Sequence, residues 1–409
     1  MKKMRFQSAP IVVTMALVIA ACGGSTVTDA TDEADETATT EVEAETTTEA
    51  PPETQAPEPT TAPTTAPPAA TSAPTTAAPT TEAPQPTGEW ITQSAGSGCV
   101  CADGSDYIYF TRTIPESTKV LLYFQGGGAC FNETMCAFEG GTYDVTSTPE
   151  DSPVNFGGIF DFDNPANPFA DYNIVFMPYC TGDVHLGDAT TPYGDSLVVE
   201  HNGFPNAMHG LDWITANHAD ATEVFVTGSS AGGVPAPLFG ALVADALPDA
   251  EVAALADASG GYPSNPGVNA FIGGLWGTEA AIPSWPELEG ATAADFGIPD
   301  LLHLAGNHNP DLRLARYDNA NDAVQVSFSA LAGVGDGGLP AVLDQNEQLV
   351  EGNGVNLPVY IAPGTNHTIL AGQGVYDLEV EGVSFLDWLN AFIDGEDPGD
   401  VRCVECEGG

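Results

Sequence analysis

A serine set between two glycines, a run of three glycines and one late histidine are the residues of this chain with chemistry in them. Gly228-Ser229-Ser230-Ala231-Gly232 follows the apolar run Val224–Val226 and precedes a helix-like stretch. A sharp strand-to-helix turn crowds the neighbours of its central residue, so only small residues fit two positions to either side. Ser230 has glycine at both places; Ser229 does not, because Thr227 stands where its first glycine would be. Such a turn lifts the serine oxygen to a helix N-terminus, where the local field favours a developing anion. The expected role of Ser230 is nucleophile.

The second element is Tyr123-Phe124-Gln125-Gly126-Gly127-Gly128-Ala129-Cys130. Successive glycines let backbone N–H groups approach a carbonyl oxygen with no Cβ in the way. A phosphate-cradling loop would want a lysine after the glycines, and none is there. Oxyanion stabilisation is the better reading.

A serine nucleophile needs a base, and in hydrolases of this type the chain order is serine, acid, histidine. His185, His201, His209 and His218 precede Ser230, and His303 and His308 fall in an insertion with no strand before them. His367 follows the last strong strand candidate, in Pro363-Gly364-Thr365-Asn366-His367-Thr368, and is the expected base. The acid is open: Asp257, Asp311, Asp318, Asp322, Asp336 and Asp344 all lie between the two. Asp257, directly after a strand, is the simplest choice on local grounds.

These groups need a rigid frame. The runs 120–124, 174–177, 223–227, 252–255 and 357–361 are short, rich in Val, Ile and aromatics, and end at Gly, Pro or Asp. They are nearly continuously apolar, which suits parallel strands covered on both faces. Helix-like stretches lie at 206–216, 234–246 and 384–393. Alternation of this kind predicts one α/β domain over residues 89–409 with a central, mostly parallel sheet. Segments 131–170 and 262–310, rich in Gly, Pro and Asn, read as long irregular insertions.

Ahead of that domain, Met1–Arg5 is a basic start and Ile11–Ala21 a short apolar run, too short to span a bilayer. Residues 1–21 read as an export signal. Ala20-Ala21-Cys22-Gly23-Gly24 is similar to a bacterial lipoprotein box, which makes Cys22 the expected lipidation site. Residues 22–88, dominated by Thr, Pro, Ala and Glu, bury too little apolar surface to offset chain entropy and read as a disordered spacer. The expected location is outside the cell, held to its membrane through that lipid alone.

Eight Lys+Arg against 57 Asp+Glu give a formal charge of −49. That excludes a nucleic-acid partner, which needs basic surface to displace counterions, and attraction to anionic lipid. It also suits a saline habitat. Beyond residue 88 the basic residues are Arg112, Lys119, Arg313, Arg316 and Arg402. Arg313 and Arg316, spaced for one helix face, are a candidate clamp for substrate carboxylates, although pairing with acids such as Asp311 is the plainer expectation. Seven cysteines follow Cys22, so at least one stays unpaired within the chain. Cys130 and Cys136, flanking a five-residue loop, are the easiest disulfide to expect. Cys403-Val-Glu-Cys406 has no second Cys or His pair to complete a zinc site, so no metal is expected.

Taken together, four blocks resemble the pectin acetylesterase and Notum family of carboxylesterases. They are Leu121–Asn132 with Cys136, Val175-Phe-Met-Pro-Tyr-Cys-Thr-Gly-Asp183, Gly228–Gly232, and the acid/histidine pair near the C-terminus. The resemblance implies an α/β-hydrolase fold, no cofactor, and a Ser–Asp–His triad of Ser230, Asp318 and His367. Asp318 is selected by the segment Ala315-Arg-Tyr-Asp-Asn-Ala-Asn-Asp-Ala-Val-Gln325, and Asp257 becomes structural. Gly127 and Gly128 match oxyanion-loop positions, with the Ala231 N–H as the further donor. The implied substrate is an acylated polysaccharide or small ester, with acetyl the expected acyl group. Alternatives are a longer acyl chain on a lipid or lipoprotein, or a non-catalytic surface protein on a hydrolase scaffold.

Overall fold

In the computed structural model, residues 88–333 and 338–406 are described. The signal, Cys22 and the spacer up to residue 87 lie outside them. Apolar runs build a nine-stranded sheet in the order Trp90–Ser94, Ile108–Arg112, Asn173–Met177, Lys119–Phe124, Glu223–Ser229, Glu251–Asp257, Arg313–Asn319, Val359–Ala362, Val401–Arg402. The first two strands pair antiparallel, as do the second and third; from there every pairing is parallel.

Two cores explain why the strands read as continuously apolar. Val120, Leu122 and Phe124 face one side with Val224, Val226 and Ala254, under Leu211, Phe239 and Leu301 from three helices. Leu121 and Tyr123 face the other side with Phe225, Leu255 and Tyr317, under Phe385, Trp388 and Phe392 of helix Phe385–Ile393. Burial on both faces removes the polar alternation that a half-exposed strand would show.

Two expectations are corrected. Arg313–Asn319 is a strand, not a helix face, so Arg313 and Arg316 point to opposite sides of the sheet. Its charged composition hid it: Arg316 and Asp318 are buried there as an ion pair, Nε to Oδ2 at 2.8 Å. The insertion at 262–310 is not irregular throughout, since it holds helices Pro266–Trp276 and Ile298–His308. Disulfides join Cys101 to Cys180, Cys130 to Cys136 and Cys403 to Cys406, leaving Cys99 free and buried. Among the described residues no helix is long and apolar enough to cross a membrane.

Candidate active site

The parallel strands deliver their loops to one edge of the sheet, the carboxyl ends, where open α/β sheets place their ligands. The glycine loop follows Phe124, Ser230 follows Ser229, Asp322 lies three residues past Asn319, and His367 follows Ala362.

Ser230 sits at φ 58°, in the left-handed region, at the junction of strand Glu223–Ser229 and a short turn leading to helix Ala236–Ala246. A side chain there costs about 1–2 kcal/mol, so the surrounding packing must enforce it. A Cβ on Gly232 would lie 2.0 Å from the Phe124 carbonyl oxygen, and one on Gly228 2.4 Å from the same atom. The strand-to-helix turn closes only because both positions lack a side chain. The glycine loop packs directly on it: a Cβ on Gly126 would meet the Ser229 carbonyl oxygen at 2.3 Å and the Ser230 Cβ at 2.9 Å.

The loop of Gly127 and Gly128 is held from behind by Tyr179–His185. Gln125 accepts from the Tyr179 N–H through Oε1 at 3.1 Å, and its carbonyl faces His185 Nε2 at 2.9 Å. A carbonyl can only accept, so Nε2 carries the proton. Burial depresses the His185 pKa to about 4, keeping the ring neutral in that tautomer. Asp183 gathers Thr181 Oγ1 and the N–H groups of His185 and Gly203, while burial raises its pKa to about 6. The sequence singled out this block for its resemblance; its physical task is to brace the glycine loop.

His367 meets a carboxylate, but not the expected one. Its Nδ1 lies 2.6 Å from Asp322 Oδ2. Asp322 is fully buried and caps helix Ala323–Leu331, its Oδ1 accepting from the N–H groups of Val324 and Gln325. The Asp318 expectation fails on geometry: that carboxylate is committed to Arg316, Gln325 Nε2 at 2.9 Å and the Gly260 N–H at 3.0 Å. Desolvation raises the Asp318 pKa, with the Arg316 charge opposing it. Gln325 Nε2 bonds both acids, so Asp318 braces Asp322 through an amide. Arg316 is fully buried against Asp318 and does not line the Ser230 cavity, so it offers no clamp to a ligand there. Asp336 lies outside the described residues. A local signal for Asp322 did exist, an aspartate opening a helix-forming run, which marks an N-cap.

His367 Nε2 is buried and has no partner among the described residues. Ser230 and His367 are not hydrogen-bonded to each other, and nucleophile–base contacts are commonly loose before substrate arrives. Asp257 is fully buried and bonded to Ser229 Oγ, and it makes no hydrogen bond to the imidazole. Cys130, Cys136 and His201 lie close together, yet the sulfurs are joined to each other. Both His201 nitrogens face partners, Thr181 O and Tyr193 Oη. That trio offers no vacant metal ligand.

Ser230 and Ala231 open onto a cavity of about 80 Å³ whose walls include Phe131, Val234, Ile272, Trp276, Ile298 and Phe328. The Trp276 indole N–H is spent on the Cys130 carbonyl at 2.7 Å, and among the described residues no Lys, Arg, Asp or Glu lines the space.

Comparison with known proteins agrees with this architecture. Residues 83–268 match the family model for pectinacetylesterase. Over those residues the chain is similar to the pectinacetylesterase family. Palmitoleoyl-protein carboxylesterase Notum of Schmidtea mediterranea is 35% identical over 148 residues, 33% of this chain and 26% of that protein. Pectin acetylesterase 4 of Arabidopsis thaliana is 30% identical over 175 residues, 41% of this chain and 42% of that protein. The chain thus spans between a quarter and less than half of these relatives' lengths. The crystal structure of the Wnt deacylase Notum from Drosophila superposes with a TM-score of 0.55 over 78% of this chain and 96% of that one. At 16% identity that likeness shows the fold, an α/β-hydrolase-like sheet, and no more. The pectinacetylesterase match includes the glycine loop, Ser230 and Asp257 but ends before Asp322 and His367. Their pairing rests on geometry.

Proposed function

We propose that the chain is a serine carboxylesterase. Ser230 attacks an ester carbonyl, His367 takes the hydroxyl proton on Nε2 and returns it to the leaving alcohol, and Asp322 orients the imidazole through Nδ1. N–H groups of Gly127, Gly128 and Ala231 stabilise the tetrahedral oxyanion, and water then cleaves the acyl-enzyme. The observation that carries this reading is Ser230 forced to φ 58° at the mouth of a largely apolar cavity. A non-catalytic surface protein would have no use for that strain. A fluorophosphonate probe should label the wild-type chain and not Ser230→Ala; equal labelling of both would sink the proposal. The three disulfides fit the oxidising surroundings expected of an exported esterase.

For the acyl group, acetyl on a polysaccharide is the first reading, drawn from the pectin acetylesterase relatives. A longer acyl chain is favoured by a specific observation. The 80 Å³ cavity is several times the roughly 10–15 Å³ that admits one water, and its walls are apolar. A further cavity of about 100 Å³ shares Val184, Tyr262, Ile272, Trp276, Ile298 and Ala332 with it. Acetyl would leave such a space unfilled. Across nitrophenyl esters from acetate to decanoate, kcat/KM should peak beyond butyrate. A maximum at acetate would return the assignment to acetylesterase.

A further inference from the structure

Asp257 makes contacts out of proportion to a residue that merely ends a strand. It is fully buried at the carboxyl end of Glu251–Asp257. Its carboxylate lies 2.6 Å from Ser229 Oγ, and Ser229 is the residue before the proposed nucleophile. The same carboxylate accepts from the N–H groups of Ile369 and Leu370, each at 3.1 Å, two and three residues past the proposed base. Thr368, between His367 and those contacts, is held at φ 62°, so the loop turns sharply where Asp257 grips it.

Charge fixes the direction of the chain of bonds. A carboxylate only accepts, so Ser229 donates to Asp257, and Tyr123 Oη, 2.8 Å from Ser229 Oγ, donates in turn to Ser229. Tyr123 belongs to the strand that leads into the glycine loop. Strands carrying the oxyanion loop, the nucleophile and the loop of the base are therefore joined through one buried acid. Asp257 is absent from the lining of the Ser230 cavity, and His367 Nδ1 is taken by Asp322. It touches neither substrate space nor the ring atoms.

We propose that Asp257, acting through Ser229 and the N–H groups of Ile369 and Leu370, is a positioning residue that sets the separation between Ser230 and His367. The proposal rests on the esterase reading above. Burial raises the Asp257 pKa to about 6, with the Ser229 hydroxyl, the two loop N–H groups and the His367 charge opposing. Holding a carboxylate in a dry site is costly, and its three donors, one at a strand end and two on the loop after His367, are what that cost supports.

Asp257→Asn keeps the shape but brings an NH2 group that must face either Ser229 Oγ or a loop N–H. A displacement of about 1 Å between nucleophile and base costs on the order of 100-fold in turnover. Turnover should be measured on a nitrophenyl ester and normalised to the sites that a fluorophosphonate finally titrates. We expect kcat per titrated site to fall about 10–100-fold with KM within about threefold, and the labelling rate to fall in parallel. Ser229→Ala, which removes one donor and leaves the acid, should show the same pattern in milder form, and Ser229→Ala/Asp257→Asn should be no slower than Asp257→Asn alone. If Asp257→Asn fails to fold, Ser229→Ala carries the test. Unchanged kcat per titrated site in the folded variants, with only thermal stability or the active fraction reduced, would overturn the proposal. So would fully additive losses in the double variant. Ser230→Ala separates the two readings: if it keeps activity, the esterase reading fails and this inference with it. If it is inactive while Asp257→Asn and Ser229→Ala turn over normally, only the positioning role fails.

Discussion

His367 and Asp322 are joined at 2.6 Å, and Asp322 is at the same time the N-cap of helix Ala323–Leu331. One carboxylate thus does two jobs with separate oxygens: Oδ1 collects the first helical N–H groups, and Oδ2 faces the imidazole. A carboxylate oxygen facing Nδ1 holds the ring proton there, which leaves Nε2 free to accept.

Asp322→Asn should therefore preserve the cap, since an asparagine side-chain oxygen still accepts, while losing the tautomer control. By analogy with orienting acids elsewhere, kcat should fall about 10³–10⁴-fold with little change in melting temperature. Asp318→Asn should behave in the opposite way. It leaves Arg316 buried without its counter-charge, a loss of about 3–5 kcal/mol, yet molecules that remain folded should turn over at rates close to wild type. Steady-state rates and chemical denaturation on both variants decide it. Full activity in Asp322→Asn would restore Asp318 or another acid to the role.

The strain at Ser230 has a steric origin that can be tested away from catalysis. Gly232→Ala would force a Cβ to 2.0 Å from the Phe124 carbonyl, and overpacking of this kind costs about 2–3 kcal/mol. Gly274 is the control: it lies in helix Pro266–Trp276 with nothing within 4 Å of its would-be Cβ. Gly274→Ala should stabilise by about 0.5–1 kcal/mol through helix propensity alone. Denaturation midpoints of the two variants should move in opposite directions. A tolerated Gly232→Ala would mean that the turn is not closed as described.

Much of this site was legible because its requirements are local. Ser230 announces itself through glycines that no other residue can replace, and the flanking strands through burial on both faces. Asp322 was not legible in the same way. Which acid reaches His367 depends on where a loop from the seventh sheet strand passes one from the eighth, and Asp318 and Asp322 sit four residues apart in one segment. The strand holding Asp318 was itself obscured, since Arg313-Leu-Ala-Arg-Tyr-Asp-Asn319 is polar in composition and becomes buried only because Arg316 and Asp318 neutralise each other. The helices at Pro266–Trp276 and Ile298–His308 were hidden because Pro266 and Pro299 stand in first turns, where proline is compatible with helix, while Gly273, Gly274 and Gly306 inside them weaken the helical signal.

Buried histidines make a pH prediction. Desolvation, partly opposed by the Thr181 carbonyl, lowers the His201 pKa from 6.5 to about 4. The unfolded chain therefore binds a proton below about pH 6.5 that the folded chain refuses until about pH 4. Stability attributable to this ring is intact above that window and is lost as pH falls through it. His201→Gln removes the term, and a comparison with wild type cancels the many surface carboxylates. The stability advantage of wild type over the variant should shrink between about pH 6.5 and 4, by at most about 3 kcal/mol at roughly 1.4 kcal/mol per unit. Urea denaturation across that range is the measurement. A difference independent of pH would show that folding leaves the His201 pKa unshifted.

The remaining prediction concerns the carrier of the acyl group, where charge opposes the name of the matching family. Pectin is a polyanion of galacturonate. The chain holds 57 acidic residues against eight basic ones, and no basic side chain lines the cavity at Ser230. Arg316 is closed on Asp318, Lys119 on Asp171 and Glu223, and Arg402 on Asp344 and Glu347. Arg313 sits at the start of its strand, away from the loops that carry the site, and donates to the Ile393 carbonyl. With no cation among the described residues placed at the Ser230 cavity to meet a carboxylate, like-charge repulsion should dominate the encounter at low salt. Screening shortens its reach from about 30 Å at 0.01 M to about 8 Å at 0.15 M, so salt should relieve it. Holding the acyl group constant as acetyl, acetylated xylan or mannan should therefore be cleaved faster than acetylated pectin below about 50 mM salt, and the gap should narrow as salt is added. Acetate release from each polymer across a salt series measures both effects. Faster release from pectin at low salt, declining as salt rises, would reveal an attractive basic site that the arginines and lysines among the described residues do not form.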